Sequence, residues 1–276
     1  MVKHIDLNAK LKLNNSVEVP YLGLGTYNIT SQKEVDRAIH SALDTGYRLI
    51  DTAAAYYNEN AIGKALRTAS VPREEIFITT KLDNPDNGYQ NTLKAFDKSL
   101  KKLDCDYIDL YLIHWPVRKR NESWKAMEEL LNGDKCRSIG VCNFTVSHLK
   151  ELRENSSVIP AVNQIEFNPF VYQKEISDYC KANNIIVEAY TPIARNHKFN
   201  HPVIKEVSGK YKKTPAQIML RWSLQHNAIV IPKSSNPDRI KENTDIFDFN
   251  ISDEDMTKLN SLNEDLRLSP DPYSYK

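Results

Sequence analysis

The chain is short of several things. Of its 276 residues four are cysteines, Cys105, Cys136, Cys142 and Cys180, and no two form a C-x-x-C pair. That removes zinc-ribbon and thioredoxin-type patterns and points to reduced thiols in a reducing compartment. An excess of one charge sign is also missing: 37 Lys and Arg against 36 Asp and Glu leave a formal charge of +1. Such a balance makes no electrostatic case for nucleic acid or a membrane as partner. No apolar run approaches the roughly 18 residues of a membrane span, and the start, MVKHIDLNAK, is too polar for a signal peptide. A cytoplasmic location is expected. No G-x-G-x-x-G occurs, since Gly23-Leu24-Gly25 is followed by Asn28 at the third position. This argues against a Rossmann domain, though not against a dinucleotide. No Pro/Gly/Ser-rich linker or low-complexity segment divides the chain, so residues 1–276 are expected to form one domain with a large core.

What is present is a repeated alternation. Eight apolar runs of strand length occur at 21–25, 47–51, 76–81, 107–114, 137–143, 161–167, 184–190 and 228–233. Segments of helical period lie between them. KEVDRAIHSALD puts Val35, Ala38, Ile39, Ala42 and Leu43 on one face, and residues 91–103 do the same with Leu93, Phe96, Leu100 and Leu103. Eight β–α units in this length fit an α/β closed (β/α)8 TIM barrel better than an open doubly wound sheet. LKLNNSVEVP reads as a short N-terminal β-hairpin with an Asn-Asn turn, placed to plug the N-terminal end of the barrel. The C-terminal stretch NEDLRLSPDPYSYK has no period and reads as an extended tail.

In such barrels the chemistry sits at the C-terminal ends of the strands. There the runs carry Asp51, Lys81, His114, Asn143, Gln164, Tyr190 and Lys233 in order. Singly, each has a bland reading: a capping aspartate, a solvated lysine, a core histidine. Jointly, the second to fourth runs set a carboxylate, an ammonium and an imidazole side by side. Two tyrosines, Tyr56 and Tyr57, follow the aspartate. A free phenol has a pKa of about 10 and is a poor proton donor at neutral pH. A neighbouring ammonium would lower that pKa, and a carboxylate would hold the ammonium in place. Which tyrosine faces inward stays open, because 52–57 is a loop entering a helix.

With these residues in hand the chain resembles the aldo-keto reductase family over essentially its whole length. The motifs are GYRLIDTAAAYYNE, TTKL, DLYLIHWP, SIGVCNF, VNQIEFNP, AYTP and IPKSSNPDRIKEN, in family order. The resemblance implies a catalytic tetrad of Asp51, Tyr56, Lys81 and His114, because the family's tyrosine lies five positions after the aspartate. Tyr57 is then expected at a helix start or pocket rim. The implied reaction is reduction of a small-molecule aldehyde or ketone by NADP(H), with Tyr56 as proton donor, His114 orienting the carbonyl, Lys81 tuning Tyr56 and Asp51 anchoring Lys81.

The resemblance also implies a cofactor site. Asn236-Pro237 reads as the cap and first residue of a helix following the last run, and helix N-termini attract anions. Lys233, Ser234 and Arg239 are implied to grip the 2′-phosphate, and Glu242 and Asn243 the adenine end. Asn143 and Gln164 would hold the carboxamide, Tyr190 would stack on the nicotinamide, and Gly25 and Thr26 would line the site from the first run. Cys142 stands where the family usually has serine, and a thiol donates more weakly. A redox role for it lacks a basic sequence neighbour to lower its pKa. Tyr27 replaces a common tryptophan and Asp83 stands where a second is frequent, so the substrate pocket is expected to be less aromatic, walled by Tyr27, Trp115 and the tail residue Tyr273. Arg118, Lys119 and Arg120 form a basic loop, expected to be solvated. Two other readings compete. One is an NADP(H)-binding regulatory or structural subunit with little turnover. The other is a metal-dependent hydrolase on Asp51, His114, Glu166 and Glu188, which the absence of H-x-H and H-E-x-x-H and the presence of Lys81 disfavour; no metal is expected. The natural substrate is not legible, and a monomer is the working expectation.

Overall fold

The computed structural model describes residues 6–275; residues 1–5, part of the polar start read against a signal peptide, and Lys276 lie outside it. The chain opens with an antiparallel hairpin, β1 (Lys10–Lys12) and β2 (Glu18–Pro20). Its turn is tied down by asparagines: Asn14 donates to the Pro160 carbonyl at 3.0 Å and Asn15 to that of Arg137 at 2.9 Å. Both carbonyls lie at or just before strand starts, so the hairpin covers the N-terminal end of the sheet.

Eight parallel strands follow: β3 (Leu24–Gly25), β4 (Leu49–Asp51), β5 (Phe77–Leu82), β6 (Ile108–Ile113), β7 (Cys136–Cys142), β8 (Val162–Glu166), β9 (Ile186–Tyr190) and β10 (Ile229–Val230). Each falls within or overlaps one of the eight apolar runs. Every strand pairs with its sequence neighbour in one sheet. The sheet curls until its ends meet, with parallel bridges from Leu22 to Val230 and from Gly25 to Lys233. Gly25 is required at this seam: a Cβ there would lie 2.7 Å from the Ile231 carbonyl oxygen. The central strands β5 and β6 are buried along their whole length, as strands covered on both faces must be.

The covering helices are α1 (Gln32–Asp44), α2 (Glu59–Arg67), α3 (Tyr89–Leu103), α4 (Arg120–Asn132), α5 (Val146–Asn155), α6 (Lys174–Ala182), α7 (Pro202–Tyr211), α8 (Pro215–Gln225), α9 (Pro237–Glu242) and α10 (Asp253–Asn260). Helix α1 starts where Ser31 accepts from the Glu34 N–H, and its buried residues are the five of the expected stripe. Capping boxes start α5 at Thr145 with His148 and α8 at Thr214 with Gln217. Helix α3 departs from expectation: Thr92, Ala95 and Ser99 are buried with Phe96 and Leu103, while Leu93 and Leu100 are only partly buried. It packs on α2, α4 and β5 together, and small residues on the inner face let it sit close. Past α10 the chain runs irregularly to a short 3-10 turn at Pro272–Ser274. It is fastened by Glu166, whose carboxylate accepts the Leu268 N–H at 3.0 Å and the Ser269 N–H at 3.2 Å.

Candidate active site

The strand ends open into a cleft of about 770 Å³. Asp51, Tyr56, His114 and Trp115 line one part of it, Asn143, Gln164 and Tyr190 another, and Lys233, Ser234 and Arg239 a third. Beneath the first part lies Lys81, fully buried on β5. Its ammonium donates to both Asp51 oxygens at 2.7 and 2.8 Å and to the Thr52 carbonyl at 2.8 Å. The fourth neighbour is the Tyr56 hydroxyl at 3.5 Å.

The local backbone settles which tyrosine this is. Residues Ala54–Tyr56 form one 3-10 turn, and Tyr57 ends it in the left-handed region at φ 56°. Tyr56 is thereby turned into the cleft and Tyr57 out to solvent, 84% exposed. The Tyr56 ring meets Tyr27 and His114 edge-on, with centroids 5.1 and 5.7 Å away.

Electrostatics at the site differ from the simple expectation in one respect. Burial pushes the Tyr56 phenol up to about 12; the Lys81 ammonium opposes this but does not outweigh it. The expected net lowering by Lys81 is therefore corrected: burial outweighs the ammonium, and the phenol is protonated at neutral pH. Burial alone would lower the Lys81 pKa, yet the Asp51 charge, with Tyr56 and Cys142, holds it above its ordinary value, so the ammonium persists. His114, whose state the sequence leaves open, is neutral: burial first, and then Lys81, bring its pKa down to about 3.

The remaining polar groups interlock. Gln164 donates from one nitrogen to Asp51 at 2.8 Å and to Glu188 at 2.7 Å. Asn143, held at φ 61° at the end of β7, donates to the His114 carbonyl at 3.1 Å and accepts from the Tyr190 hydroxyl at 2.8 Å. Asparagine tolerates that left-handed conformation better than most residues. In the third part, Asn236 caps α9 by accepting the Arg239 N–H at 3.2 Å, and the Arg239 side chain is exposed. Among the described residues neither Lys233 nor Arg239 has an ion-pair partner.

Several of the residues named from the sequence are not among those that line the cleft. Thr26 gives both its hydroxyl and its N–H to the Asp51 carbonyl and is buried. Cys142 is buried, and desolvation raises its thiol well above the ordinary value, away from the thiolate a redox role would need. Glu242 accepts from Thr214 at 2.6 Å, and neither it nor Asn243 lines the cleft. Asp83 caps its own turn. Of the basic loop, Arg120 pairs with Glu151, and Arg118 and Lys119 are exposed. Glu166 holds the tail, so the four hydrolase candidates do not converge on one site.

Other cleft residues were not anticipated. Arg195 lines the cleft from a loop in which Ala194, Arg195 and Asn196 are all left-handed, at φ 46°, 46° and 68°. Three consecutive residues of this kind are strained, and such strain gathers at functional sites. The tail residue against Trp115 is Tyr275, stacked at 5.3 Å, while Tyr273 is exposed beside Arg267. The Tyr275 carbonyl meets the His148 ring at 3.0 Å.

A sequence profile described as "Aldo/keto reductase family" matches residues 21–264. The chain belongs to the aldo/keto reductase family. It is 46% identical to the glyoxal reductase of Bacillus subtilis over 267 residues, covering 96% of this chain and 97% of that one. It is also 46% identical to the methylglyoxal reductase DkgA of Escherichia coli K12, covering 95% and 96%. Among solved structures, an aldo-keto reductase from a Medee basin deep-sea metagenome library superposes with a TM-score of 0.92 at 41% identity, covering 97% of this chain and all of that one. The Bombyx mori aldo-keto reductase, solved in complex with NADP, gives 0.90 at 34% identity with 98% of both chains covered. As an aldo/keto reductase the chain is an oxidoreductase of aldehydes or ketones. Among its described residues no helix is long and apolar enough to cross a membrane.

Proposed function

We propose that the chain reduces small aldehydes and ketones to alcohols with NADPH, Tyr56 donating the proton. The observation that carries this is the inward-turned Tyr56 phenol, 3.5 Å from a buried ammonium and edge-on to a neutral imidazole in one cleft. A bound reduced nicotinamide would supply the hydride. The residues present suit it. Lys233 and Arg239 offer unpaired cations for a phosphate, Tyr190 offers a ring, and Gln164 has an amide oxygen left once its nitrogen is engaged. Arg195 adds a third cation along the same cleft.

The protein's own part is placement and proton supply. A neutral His114 can donate one N–H to a carbonyl oxygen, which fixes the substrate without adding charge. As charge builds on that oxygen, the Tyr56 hydroxyl passes its proton to it. Lys81 then stabilises the phenolate left behind, and Asp51 keeps Lys81 charged and in line. The phenol holds its proton at neutral pH, and Lys81 offsets part of the cost that burial places on giving it up. Tyr27, Trp115 and Tyr275 would wall the substrate end. Glyoxal-type aldehydes are the first substrates to test, given the names of the relatives above.

The test is direct. Mixing protein, NADPH and a panel of aldehydes headed by methylglyoxal should consume the nicotinamide absorbance band. Absence of turnover across the panel would overturn the assignment and favour a cofactor-binding subunit with little activity.

A further inference from the structure

The mechanism above leaves a fully buried carboxylate beside the Asp51–Lys81 pair without a task. Glu188 on β9 is 0% exposed, and only one of its oxygens has a partner. That partner is the Gln164 nitrogen, shared with Asp51. We propose that Glu188 is a positioning residue of the reduction: as an uncharged acid it takes a second hydrogen bond from the Gln164 amide whose orientation Asp51 sets, holding that amide in place while keeping a second negative charge away from the Asp51–Lys81 pair. The proposal rests on the NADPH-dependent reading of the site.

The amide orientation follows from its neighbours. Two carboxyl oxygens lie 2.8 and 2.7 Å from one nitrogen of Gln164. A flipped amide would set its oxygen against the Asp51 carboxylate, so the nitrogen must face inward and Oε1 must face the cleft. An amide oxygen there can accept from a carboxamide N–H. Charge bookkeeping gives the second half. Around Glu188 stand Asp51 from β4, Lys81 from β5 and Cys142 from β7, while β10 offers the apolar Ile229 in register. Lys81 already faces both oxygens of Asp51. A second anion would be buried with one donor, which is costly, whereas a neutral acid leaves only one polar group unmade. Burial, and next the Asp51 charge, push the Glu188 carboxyl up to about 8.

Three measurements on the full-length protein test this. Glu188→Gln keeps an acceptor for Gln164 and removes the titration. Its readout is the shape of the pH profile: relative to its own value at pH 7, the rate of Glu188→Gln should hold at pH 9, while that of wild type falls as Glu188 ionises. Glu188→Leu removes the acceptor and should weaken NADPH binding about two- to tenfold, the range of one hydrogen bond, with Glu188→Gln as the rescue. Melting curves without cofactor give an independent reading. A carboxyl raised in the fold costs stability as pH climbs from its unfolded to its folded pKa. The melting temperature of Glu188→Gln should therefore gain on wild type between pH 5 and 8. Identical melting and rate profiles for Glu188→Gln and wild type would overturn the uncharged acid. NADPH binding by Glu188→Leu equal to wild type would overturn the positioning role. If wild type itself neither binds nor oxidises NADPH, the reductase reading fails, and the melting curves still decide the state of Glu188.

Discussion

Replacing Lys81 with methionine removes one charge and almost no volume. The buried ammonium now has three hydrogen-bond acceptors, the two Asp51 oxygens and the Thr52 carbonyl, all within 2.8 Å. After the change Asp51, 2% exposed, keeps a single side-chain donor, Gln164, and still faces Glu188. Breaking a buried pair by deleting one partner costs about 3–5 kcal/mol, because the remaining charge is left uncompensated. Urea unfolding at pH 8, followed by tryptophan fluorescence, should show a loss of that size with an unchanged slope. The pH dependence has a definite sign. Burial raises the Asp51 pKa and Lys81 opposes it, so losing Lys81 raises it further. A carboxyl whose folded pKa lies above its unfolded one has its full stability below the unfolded value and loses it as pH rises. The deficit should shrink toward pH 4. Pairing the change with Asp51→Asn removes both charges and should recover part of the loss at pH 8 without restoring activity. A deficit under about 1 kcal/mol that ignores pH would refute the view that this pair is a desolvated, interdependent unit.

Other outcomes follow from the same geometry. Arg239→Ala should raise the KM for NADPH about 10- to 100-fold, the value of one charge-assisted contact, and leave that for NADH nearly unchanged; steady-state kinetics with both cofactors would show equal losses if Arg239 does not meet the 2′-phosphate. His114, lowered to about 3 in the fold, contributes stability present above its unfolded pKa of 6.5 and lost as pH falls. The melting temperature of His114→Gln should therefore close on wild type as pH drops from 7 to 4, and a constant gap would contradict a neutral imidazole. Iodoacetamide at neutral pH should leave Cys136, Cys142 and Cys180 unlabelled until the protein unfolds, since all three are buried with raised thiols; mass spectrometry finding native label on Cys142 would reopen a redox role.

The frame was legible because a barrel reduces it to one dimension. Eight apolar runs became eight strands, and their ends became one rim, so Asp51, Lys81 and His114 could be grouped from position alone. The helix cap at Asn236 was readable because its chemistry is local. What resisted reading depends on loops and burial. Tyr56 and Tyr57 are separated only by a left-handed φ that no residue type at that point signals. Arg195 reaches the cleft through three left-handed residues, none of them glycine. Tyr275 rather than Tyr273 meets Trp115 because the tail turns at Pro272–Ser274. The sign of the Tyr56 shift was missed because a neighbouring charge is visible in sequence and desolvation is not.

The account turns on Tyr56 as proton donor, and Tyr56→Phe tests it most directly. The variant keeps the ring and loses only the hydroxyl. Cofactor binding, read by quenching of protein fluorescence on adding NADPH, should stay near wild type. Single-turnover oxidation of the bound NADPH by methylglyoxal should fall about 100-fold or more, the scale of a lost general acid. A variant that binds NADPH and oxidises it at the wild-type rate would contradict the account.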